Sequence, residues 1–577
     1  MVAERKRKET NKIIHKFVAY LSCCVVSLCS VILPNSARGG ENLLIGSMNM
    51  LECDVLVVGG GINGAGIARD AAGRGLSVVL AEKDDLAAHT SSASTKLIHG
   101  GLRYLEHYEF NLVRKALIER EVLLRSAPHI MWPLRFVMPH DRGQRPAWMI
   151  RAGLFLYDHL ARRELLPGSQ TVNLRRHAAG VPLQARFTRG FVYSDGWVDD
   201  ARLVILNAID ARERGAQILT HTHCESARRH ADHWLATLRG VDGVITQIRA
   251  RAVVNAAGPW AAQFLQDCAH QPSGKSLRLI KGSHIVVKKL FDHSYAYIFQ
   301  HPDGRIVFAI PYEREFTLIG TTDIDYHGST DVVAIDQAEV TYLCELTSQY
   351  FQRPIRPTDV VWSYAGVRPL VEDDAADAAA VTRDYRFEFD QEGAPLLSIF
   401  GGKITTFRKL AEEAVDLLAP MLGAQRGSWT GSACLPGGDL YGAIPSNRSV
   451  REFDGYVRAM QQRYAWLSPH LVARYVRAYG SRISQLLIDC HGKNDLGDEI
   501  CADLFAREVR YLEEHEWASC AEDILWRRSK LGLHVGSTGH DALTRWLAAR
   551  PRASLSGSTG GPTALPARPA AGRNVID

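Results

Sequence analysis

Residues 56–85 read LVVGGGINGAGIARDAAGRGLSVVLAEKDD, and this stretch decides the fold. The apolar run at 55–58 predicts a buried parallel strand, and the alanine-rich residues 62–74 predict a helix. Residues 76–80 predict a second strand, which leads to the acid Glu82. Together these segments have the order and length of a βαβ unit.

Glycines at fixed spacing separate the first strand from the helix. Gly59 permits a tight turn, Gly61 lets the backbone approach a pyrophosphate, and Gly64 lets the helix and strand pack closely. The helix N-terminus offers free N–H groups to phosphates, and an acid after the second strand suits a ribose hydroxyl. The unit therefore predicts a dinucleotide site, with contacts at Gly59, Gly60, Gly61, Asn63, Gly64 and Glu82.

Composition limits the class of protein. A chain of 577 residues with 46% hydrophobic residues is long enough for two or three domains. The net charge of +5 is mild and comes without basic repeats, so it does not favour nucleic acid; it suits an anionic substrate or an anionic membrane surface. The 11 cysteines form no C-x-x-C pair, which indicates free thiols in a reducing compartment. Neither H-x-x-x-H nor H-E-x-x-H occurs, so we expect no metal site.

Both ends of the chain depart from this pattern. Residues 1–49 are an extension with a basic start and an apolar run at 17–33, which resembles a signal peptide or a short anchor. Because a strand follows so soon after Met48 and Met50, a translation start at one of these methionines is favoured over export. Residues 551–577 are rich in Pro, Ala, Gly and Ser, and we expect a disordered tail there.

Helical and strand patterns fill the middle of the chain. A helix at 147–163 is very apolar with a basic end; it is either buried or in contact with a membrane. Further predicted helices are at 105–127 and 198–215, and predicted strands are at 284–289, 297–300, 305–312 and 316–323, with a hairpin turn at Asp303 and Gly304.

Six long motifs occur in an order that is typical of one family. They are TSSASTKLIHGGLRYLEHYEF at 90–110, YSDGWVDDARL at 193–203, LIKGSHIVV at 279–287, IGTTD at 319–323, GVRPL at 366–370 and FGGKITTFRKLAE at 400–412. With them the chain resembles the FAD-dependent aerobic glycerol-3-phosphate dehydrogenases from about residue 54 to residue 547.

The resemblance implies an α/β fold: a Rossmann-like FAD domain of the D-amino-acid-oxidase type, an antiparallel-sheet substrate domain and a helical C-terminal domain. We expect the first two, interleaved, over 50–418, and the third over 419–550. The family oxidises glycerol 3-phosphate to dihydroxyacetone phosphate and passes electrons to a membrane quinone. Its members are cytoplasmic and peripheral on the inner face of the cell membrane, and a homodimer is possible.

Alternatives stay open at this stage. An oxidase that uses dioxygen would share nearly every motif, and a flavin-binding redox sensor without turnover would share the cofactor motifs. The opening glycines alone also allow NAD in place of FAD.

Further cofactor contacts are expected at two more turns and one serine-rich segment. A helix that begins just after the turn of Gly401 and Gly402 would direct its dipole at the flavin and stabilise the reduced anionic form. The serines alternatively cap a helix. The expected contacts are Ser91, Ser92, Gly258, Gly401, Gly402 and Thr405.

Arginine suits a site that binds the phosphate of the substrate, because its guanidinium makes bidentate contacts with a phosphate. The resemblance places substrate-contacting residues at Arg103 and Tyr104 and anion-binding residues at Arg368 and Lys403. We count Arg103 and Lys403 among the catalytic residues as well. Arg383 is a weaker candidate.

A base must accept the hydroxyl proton of the substrate, and histidine is the natural choice near neutral pH. His284, at the start of a predicted strand, is the preferred catalytic residue, and His99, just before Arg103, is the second. A packed core position is the competing interpretation for both histidines.

Overall fold

The computed structural model describes residues 50–550 except 142, 273–276, 301–304 and 372–383. The extension at 1–49, the tail at 551–577, the turn at Asp303 and Gly304, and Arg383 lie outside the described residues.

The strands run in this chain order: β1 Met50–Val58, β2 Val78–Ala81, β3 Leu97–Ile98, β4 Met131–His140, β5 Gln170–Asn173, β6 Arg189–Val198, β7 Gln217–Leu219, β8 Thr222–Arg229, β9 Trp234–Gly240, β10 Ile245–Asn255, β11 Leu277–Lys288, β12 Ala296–Gln300, β13 Ile306–Tyr312, β14 Phe316–Gly320, β15 Ile324–Asp325, β16 Val360–Val371, β17 Arg386–Asp390, β18 Leu396–Phe400, β19 Glu499–Cys501 and β20 Leu504–Phe505.

The α-helices follow the same order: α1 Ile62–Gly73, α2 Phe110–Ser126, α3 Ala147–His159, α4 Asp200–Glu213, α5 Ala261–Gln263, α6 Gln337–Ser348, α7 Phe407–Leu422, α8 Asn447–Arg451, α9 Phe453–Arg463, α10 Pro469–Tyr479, α11 Ile483–Leu486, α12 Ala506–Glu516 and α13 Gly532–Ala548.

The first sheet carries the glycine-rich unit. Its order is β17-β18-β10-β1-β2-β7, and the strands from β18 to β7 pair in parallel, while β17 and the hairpin of β8 and β9 are antiparallel. β1 lies in the middle, and Val55, Leu56 and Val57 are fully buried, as a parallel strand covered on both faces requires. The βαβ prediction is correct, with β2 shifted by one or two residues.

The second sheet is largely antiparallel, and several of its strands line the cavity described below. Its order is β15-β11-β14-β13-β12-β4-β6-β3, with β16 paired to β11 and β5 to β6. β12 and β4 pair in parallel. The C-terminal end of β14 and the middle of β16 lie across β11 from each other, so residues far apart in sequence meet at one edge.

The predicted helix at 105–127 is wrong in its first turn. Residues Leu102–His107 form a short 3₁₀ helix, and α2 begins only at Phe110. Tyr108 has a φ of 59°, the left-handed conformation, so the helix cannot run through it. The helices at 147–163 and 198–215 are present but shorter, as α3 and α4.

Helices α9 to α13 pack around their own apolar core, which includes Tyr475, Val476 and Leu512, whereas Val450 of α8 packs on the core of the first sheet. Buried ion pairs join this part to the first sheet and its helices. Arg528 donates to both carboxylate oxygens of Asp85, at 2.5 and 2.8 Å. Among the described residues, no helix is both long and apolar enough to span a bilayer.

Candidate active site

The glycine-rich turn after β1 is tightly packed. Gly59 has a φ of 111°, and a methyl group built on Gly64 would lie 1.9 Å from the carbonyl oxygen of Gly59. Only glycine fits at these two positions. The N-terminus of α1 therefore lies directly against the end of β1, in the arrangement that suits a pyrophosphate.

Glu82 lies beside this turn, one residue after β2. Its Oε2 accepts a hydrogen bond from the Gly60 N–H at 2.6 Å, and its Oε1 accepts one from the Asp84 N–H at 2.9 Å. Burial raises the pKa of this carboxyl, while the two N–H donors lower it. The carboxylate is thus fixed at the position expected for an acid that binds a ribose.

The two serines have different roles in the structure. Ser91 Oγ accepts a hydrogen bond from the N–H of Ile62 at 3.0 Å and so caps α1, which is the alternative that the sequence left open. Ser91 also lines the large cavity described below, whereas Ser92 lines a neighbouring pocket of about 350 Å³.

A second glycine turn follows β18. Gly401 and Gly402 have φ values of 76° and 103°, and Asn63 Nδ2 donates to the Gly401 carbonyl at 3.1 Å. This contact links the turn to the first turn of α1. Gly258, with a φ of 56°, has open space where a side chain would lie.

Two buried polar atoms next to this turn test whether a cofactor fits. Asn63 Oδ1 and Thr406 Oγ1 have no hydrogen-bond partner among the described residues. Buried polar groups are normally satisfied, so these atoms point to a polar ligand between the two glycine turns. These two atoms, the open space at Gly258 and the N-terminus of α1 fit FAD.

The cavity has a volume of about 800 Å³ and lies between the second sheet and the segments that follow β1 and β18 of the first sheet. Its polar wall is formed by the Gly402–Thr405 segment, His99, Arg103, Tyr104 and Arg368. Thr405 Oγ1 accepts a hydrogen bond from the His99 N–H at 3.3 Å. The opposite end is apolar, with Met149, Ile298 and Phe308 among its lining residues.

Predicted substrate residues meet at the polar wall. Lys403 Nζ lies 3.6 Å from the centroid of the Tyr104 ring, and Arg103 lies on the same 3₁₀ helix as Tyr104. Arg368 forms an ion pair with Asp323 and donates to Thr321 Oγ1 at 3.2 Å. Three cationic side chains, Arg103, Arg368 and Lys403, therefore line the cavity.

His284 is not on the cavity wall; it lies one layer behind it, on β11. It is 1% exposed, stacks on Tyr364 with ring centroids 4.7 Å apart, and its Nε2 lies 2.9 Å from Thr95 Oγ1. Thr95 itself lines the cavity. Burial, and then the charges of Arg368 and Lys96, hold the pKa of His284 well below its usual value.

His99 does line the cavity. Burial lowers its pKa to about 3, and the neighbouring Lys403, Arg120 and Arg368 add to this shift. His99 is therefore neutral at pH 7.

Sequence reasoning missed Thr95, Thr321 and Asp323. Each belongs to a motif quoted above, but the signal that singles them out is a contact with His284 or Arg368 across the fold.

The comparisons with known proteins agree with this geometry. Residues 54–408 match the family model described as FAD dependent oxidoreductase, and residues 428–549 match the C-terminal domain of alpha-glycerophosphate oxidase. Glycerol-3-phosphate dehydrogenase of Pseudomonas aeruginosa is 54% identical over 496 residues, which cover 86% of this chain and 94% of the relative.

The chain belongs to the FAD-dependent glycerol-3-phosphate dehydrogenase family. D-erythritol 1-phosphate dehydrogenase of Brucella abortus is 50% identical, over 86% of this chain and 97% of that protein. The crystal structure of glycerol-3-phosphate dehydrogenase from Bacillus halodurans, complexed with FAD, has a TM-score of 0.70 at 28% identity, over 87% of this chain and 92% of that one. The expected fold class and FAD dependence are confirmed.

Proposed function

We propose that the protein oxidises glycerol 3-phosphate to dihydroxyacetone phosphate in the large cavity. The observation that carries this proposal is the convergence of Arg103, Arg368 and Lys403 beside the turn of Gly401 and Gly402. Bound FAD supplies the hydride acceptor. The residues of the chain bind the phosphate, orient the carbinol and hold the proton that leaves its hydroxyl.

Arg368 is the main phosphate ligand in this proposal. A guanidinium has five N–H donors, so the contacts with Asp323 and Thr321 leave others for a phosphate. The Asp323 carboxylate fixes the orientation of the planar Arg368 guanidinium, and Arg103 and Lys403 supply further positive charge. Binding at the phosphate end orients the reacting carbinol at the other end.

The hydroxyl proton moves through Thr95 to His284. Thr95 accepts the proton from the substrate as its own proton passes to His284 Nε2, over the 2.9 Å contact. Burial is the main cause of the low pKa of His284, and the charge of Arg368 adds to it. A phosphate dianion on Arg368 offsets this second effect and so raises the basicity of the ring. His99 is the alternative acceptor, since it lines the same cavity.

A longer polyol phosphate is a second candidate substrate. The 50% identical relative named D-erythritol 1-phosphate dehydrogenase favours this candidate. The ratio of kcat/KM for glycerol 3-phosphate to that for D-erythritol 1-phosphate decides between them; a ratio below one would make the four-carbon phosphate the substrate.

Anaerobic titration of the purified protein with glycerol 3-phosphate tests the main proposal. Bleaching of the flavin absorption, with one dihydroxyacetone phosphate formed per flavin, supports turnover. An unchanged spectrum would leave the redox-sensor alternative. Hydrogen peroxide formed in air at the rate of substrate oxidation would identify an oxidase that uses dioxygen.

For the acceptor we propose a membrane quinone, reached from a peripheral position on the inner face of the cell membrane. Tyr108, Trp148, Met149, Phe155 and Leu156 are apolar or aromatic side chains exposed around α3, and we name them the apolar face. Met149 and Leu156 also line the cavity. The apolar face thus joins the cavity to the surface, which suits a lipophilic acceptor that enters from a bilayer.

The two arginines that follow α3 contribute less charge than the sequence indicates. Arg163 donates to Asp158 at 2.6 Å, so its charge is largely neutralised, whereas the Arg162 side chain is 89% exposed and lies 3.6 Å from Glu164. Arg162 is therefore the residue of this pair to test against anionic lipid. The possible homodimer stays a prediction.

A further inference from the structure

The motif YSDGWVDD at 193–200 has no role in the proposed chemistry, yet two of its acids are buried and hydrogen-bonded to one segment. Asp195 lies on β6 and is 3% exposed; Asp200 begins α4 and is 0% exposed. The segment is 90–104, which carries Ser91, Thr95 and Arg103.

Asp195 holds the end of this segment that leads to Arg103. Its Oδ1 accepts hydrogen bonds from Arg120 Nη1 at 2.5 Å and from Tyr157 OH at 2.8 Å. The same Tyr157 oxygen accepts from the Gly100 N–H at 2.8 Å. Gly101, with a φ of 78°, then starts the 3₁₀ helix of Arg103. The carboxylate therefore fixes the turn from which the substrate-binding helix begins.

Asp200 holds the other end. Its Oδ2 accepts from Ser94 Oγ at 2.7 Å and from the Ser94 N–H at 3.2 Å, and its Oδ1 accepts from Lys96 Nζ at 2.8 Å. Lys96 Nζ also donates to the Ser92 carbonyl at 3.0 Å. Thr95, the neighbour of His284, lies between the two residues that Asp200 binds directly.

We propose that Asp195 and Asp200 are separate positioning residues for this active site: Asp195 sets the substrate-binding turn, and Asp200 sets the segment that faces the cofactor and the proton acceptor. The inference rests on the proposed function for its kinetic readouts. Buried charge-assisted hydrogen bonds define a single geometry, so removal of one charge displaces the groups that it orients. A displacement of about 1 Å in an active site can cost up to roughly 100-fold in rate.

Asp195→Asn and Asp200→Asn separate the two roles, and Asp210→Asn is the matched control. Asp210 is a buried acid of α4 that pairs with Arg69 at 2.6 Å and with Arg214 at 3.0 Å, away from the 90–104 segment. Each holoenzyme is assayed for KM and kcat with glycerol 3-phosphate and a soluble dye, for the pH dependence of kcat, and for flavin absorption and FAD retention after gel filtration.

The expected results differ between the variants. Asp195→Asn raises KM about tenfold or more with an unchanged flavin spectrum. Asp200→Asn changes the flavin spectrum, lowers FAD retention and shifts the pH profile of kcat, with KM within about threefold of wild type. Asp210→Asn lowers only the Tm. If both variants behave like Asp210→Asn, or if the two signatures are exchanged, the inference is overturned.

Milder variants cover the case in which an Asn variant does not fold. Tyr157→Phe removes only the hydroxyl between Gly100 and Asp195, and Ser94→Ala removes only one donor to Asp200. Tyr157→Phe should raise KM, and Ser94→Ala should change the flavin spectrum, FAD retention and pH profile, each by less than the Asn variants do. If neither effect is seen, the inference is overturned. A wild type that glycerol 3-phosphate does not reduce contradicts the proposed function instead, and the flavin spectrum and FAD retention still test Asp200.

Discussion

The ammonium group of Lys403 lies 3.6 Å above the centroid of the Tyr104 ring, and that ring lies over Gly101, where an added methyl group would be 2.1 Å from Tyr104 Cε2. The tyrosine therefore holds a cation of the proposed anion site and packs on the turn that precedes Arg103. Because Gly101 lies on one face of the Tyr104 ring and Lys403 on the other, the orientation of the ring in the cavity is fixed.

Tyr104→Leu should lower kcat/KM for glycerol 3-phosphate by about 2- to 30-fold, because a cation–π contact contributes about 0.5 to 2 kcal/mol. Tyr104→Phe keeps the ring and should stay within about twofold of wild type. Steady-state kinetics measure both. Tyr441, which holds Arg448 at 4.2 Å in the C-terminal part, provides the control; an equal loss in Tyr441→Leu would contradict a local role.

Arg368→Ala should lower kcat/KM for glycerol 3-phosphate by about 30- to 700-fold, since loss of one partner of a charge-assisted pair costs roughly 2–4 kcal/mol. Arg368→Lys should recover only part of the lost kcat/KM, because an ammonium group cannot make the bidentate contact that a guanidinium makes with a phosphate. FAD content should stay near that of wild type.

Two controls separate binding from structure in this experiment. Glycerol lacks the phosphate, so its slow turnover should hardly change; an equal loss with both substrates would assign Arg368 to structure. Arg278 forms a similar pair with Asp325 at 2.6 and 2.8 Å, and Arg278→Ala should keep normal kinetics because Arg278 is not among the residues that line the cavity.

Acid should destabilise the protein through its buried histidines. Burial, and then Arg202, Arg477 and Arg482, hold the pKa of His129 well below its usual value of 6.5. Above pH 6.5 the ring is neutral in both the folded and the unfolded state. Below it only the unfolded state binds the proton, so stability is lost as pH falls from 6.5, with a slope of up to about 1.4 kcal/mol per pH unit.

His129→Gln should therefore flatten the fall of Tm between pH 6.5 and 5. Both ring nitrogens of His129 lack a hydrogen-bond partner among the described residues, so the exchange for a neutral amide removes no hydrogen bond. Thermal unfolding at a series of pH values measures the difference. His470, whose side chain is 58% exposed, is the control; an equal flattening in His470→Gln would exclude burial as the cause.

Trp148→Glu with Phe155→Glu should reduce co-sedimentation with vesicles of phosphatidylethanolamine and phosphatidylglycerol, because two aromatic side chains, 70% and 58% exposed, would become charged. Quinone reduction should fall with binding, while turnover with a soluble dye stays unchanged. Arg162→Glu should weaken binding further at low salt only.

The control for this surface is Val241→Glu, at a site that is 81% exposed and far from α3 in sequence. This variant should bind vesicles as wild type does. If the α3 variants also bind normally, the membrane contact lies elsewhere on the protein.

Local patterns predicted the first βαβ unit because tight packing at Gly59 and Gly64 leaves only glycine possible. They could not predict that the helix expected at 105–127 is interrupted at Tyr108, since nothing in the sequence pattern there indicates a left-handed residue. The sequence also could not place His284 behind Thr95, because that contact joins residues 189 positions apart.

The capping role of Ser91 shows the same limit. A serine in this segment is a candidate both for a phosphate contact and for a helix cap. The choice depends on a hydrogen bond from the N–H of Ile62 to Ser91, which lies 29 residues further along the chain. The fold class, the cofactor and the cavity's arginines followed from motifs, whereas the partners of those arginines required the three-dimensional structure.

The pairing of Arg528 with Asp85 bears on how such chains can be recombined. Two family models describe residues 54–408 and 428–549 as separate units. Yet Asp85 is buried in the first part, and the arginines that neutralise it among the described residues, Arg527 and Arg528, lie in the second. Loss of one partner of such a pair costs about 3–5 kcal/mol. A chimaera that takes its C-terminal part from a distant homologue is therefore expected to fold stably only if that part still provides the arginine that pairs with Asp85. The two parts should thus be exchanged together.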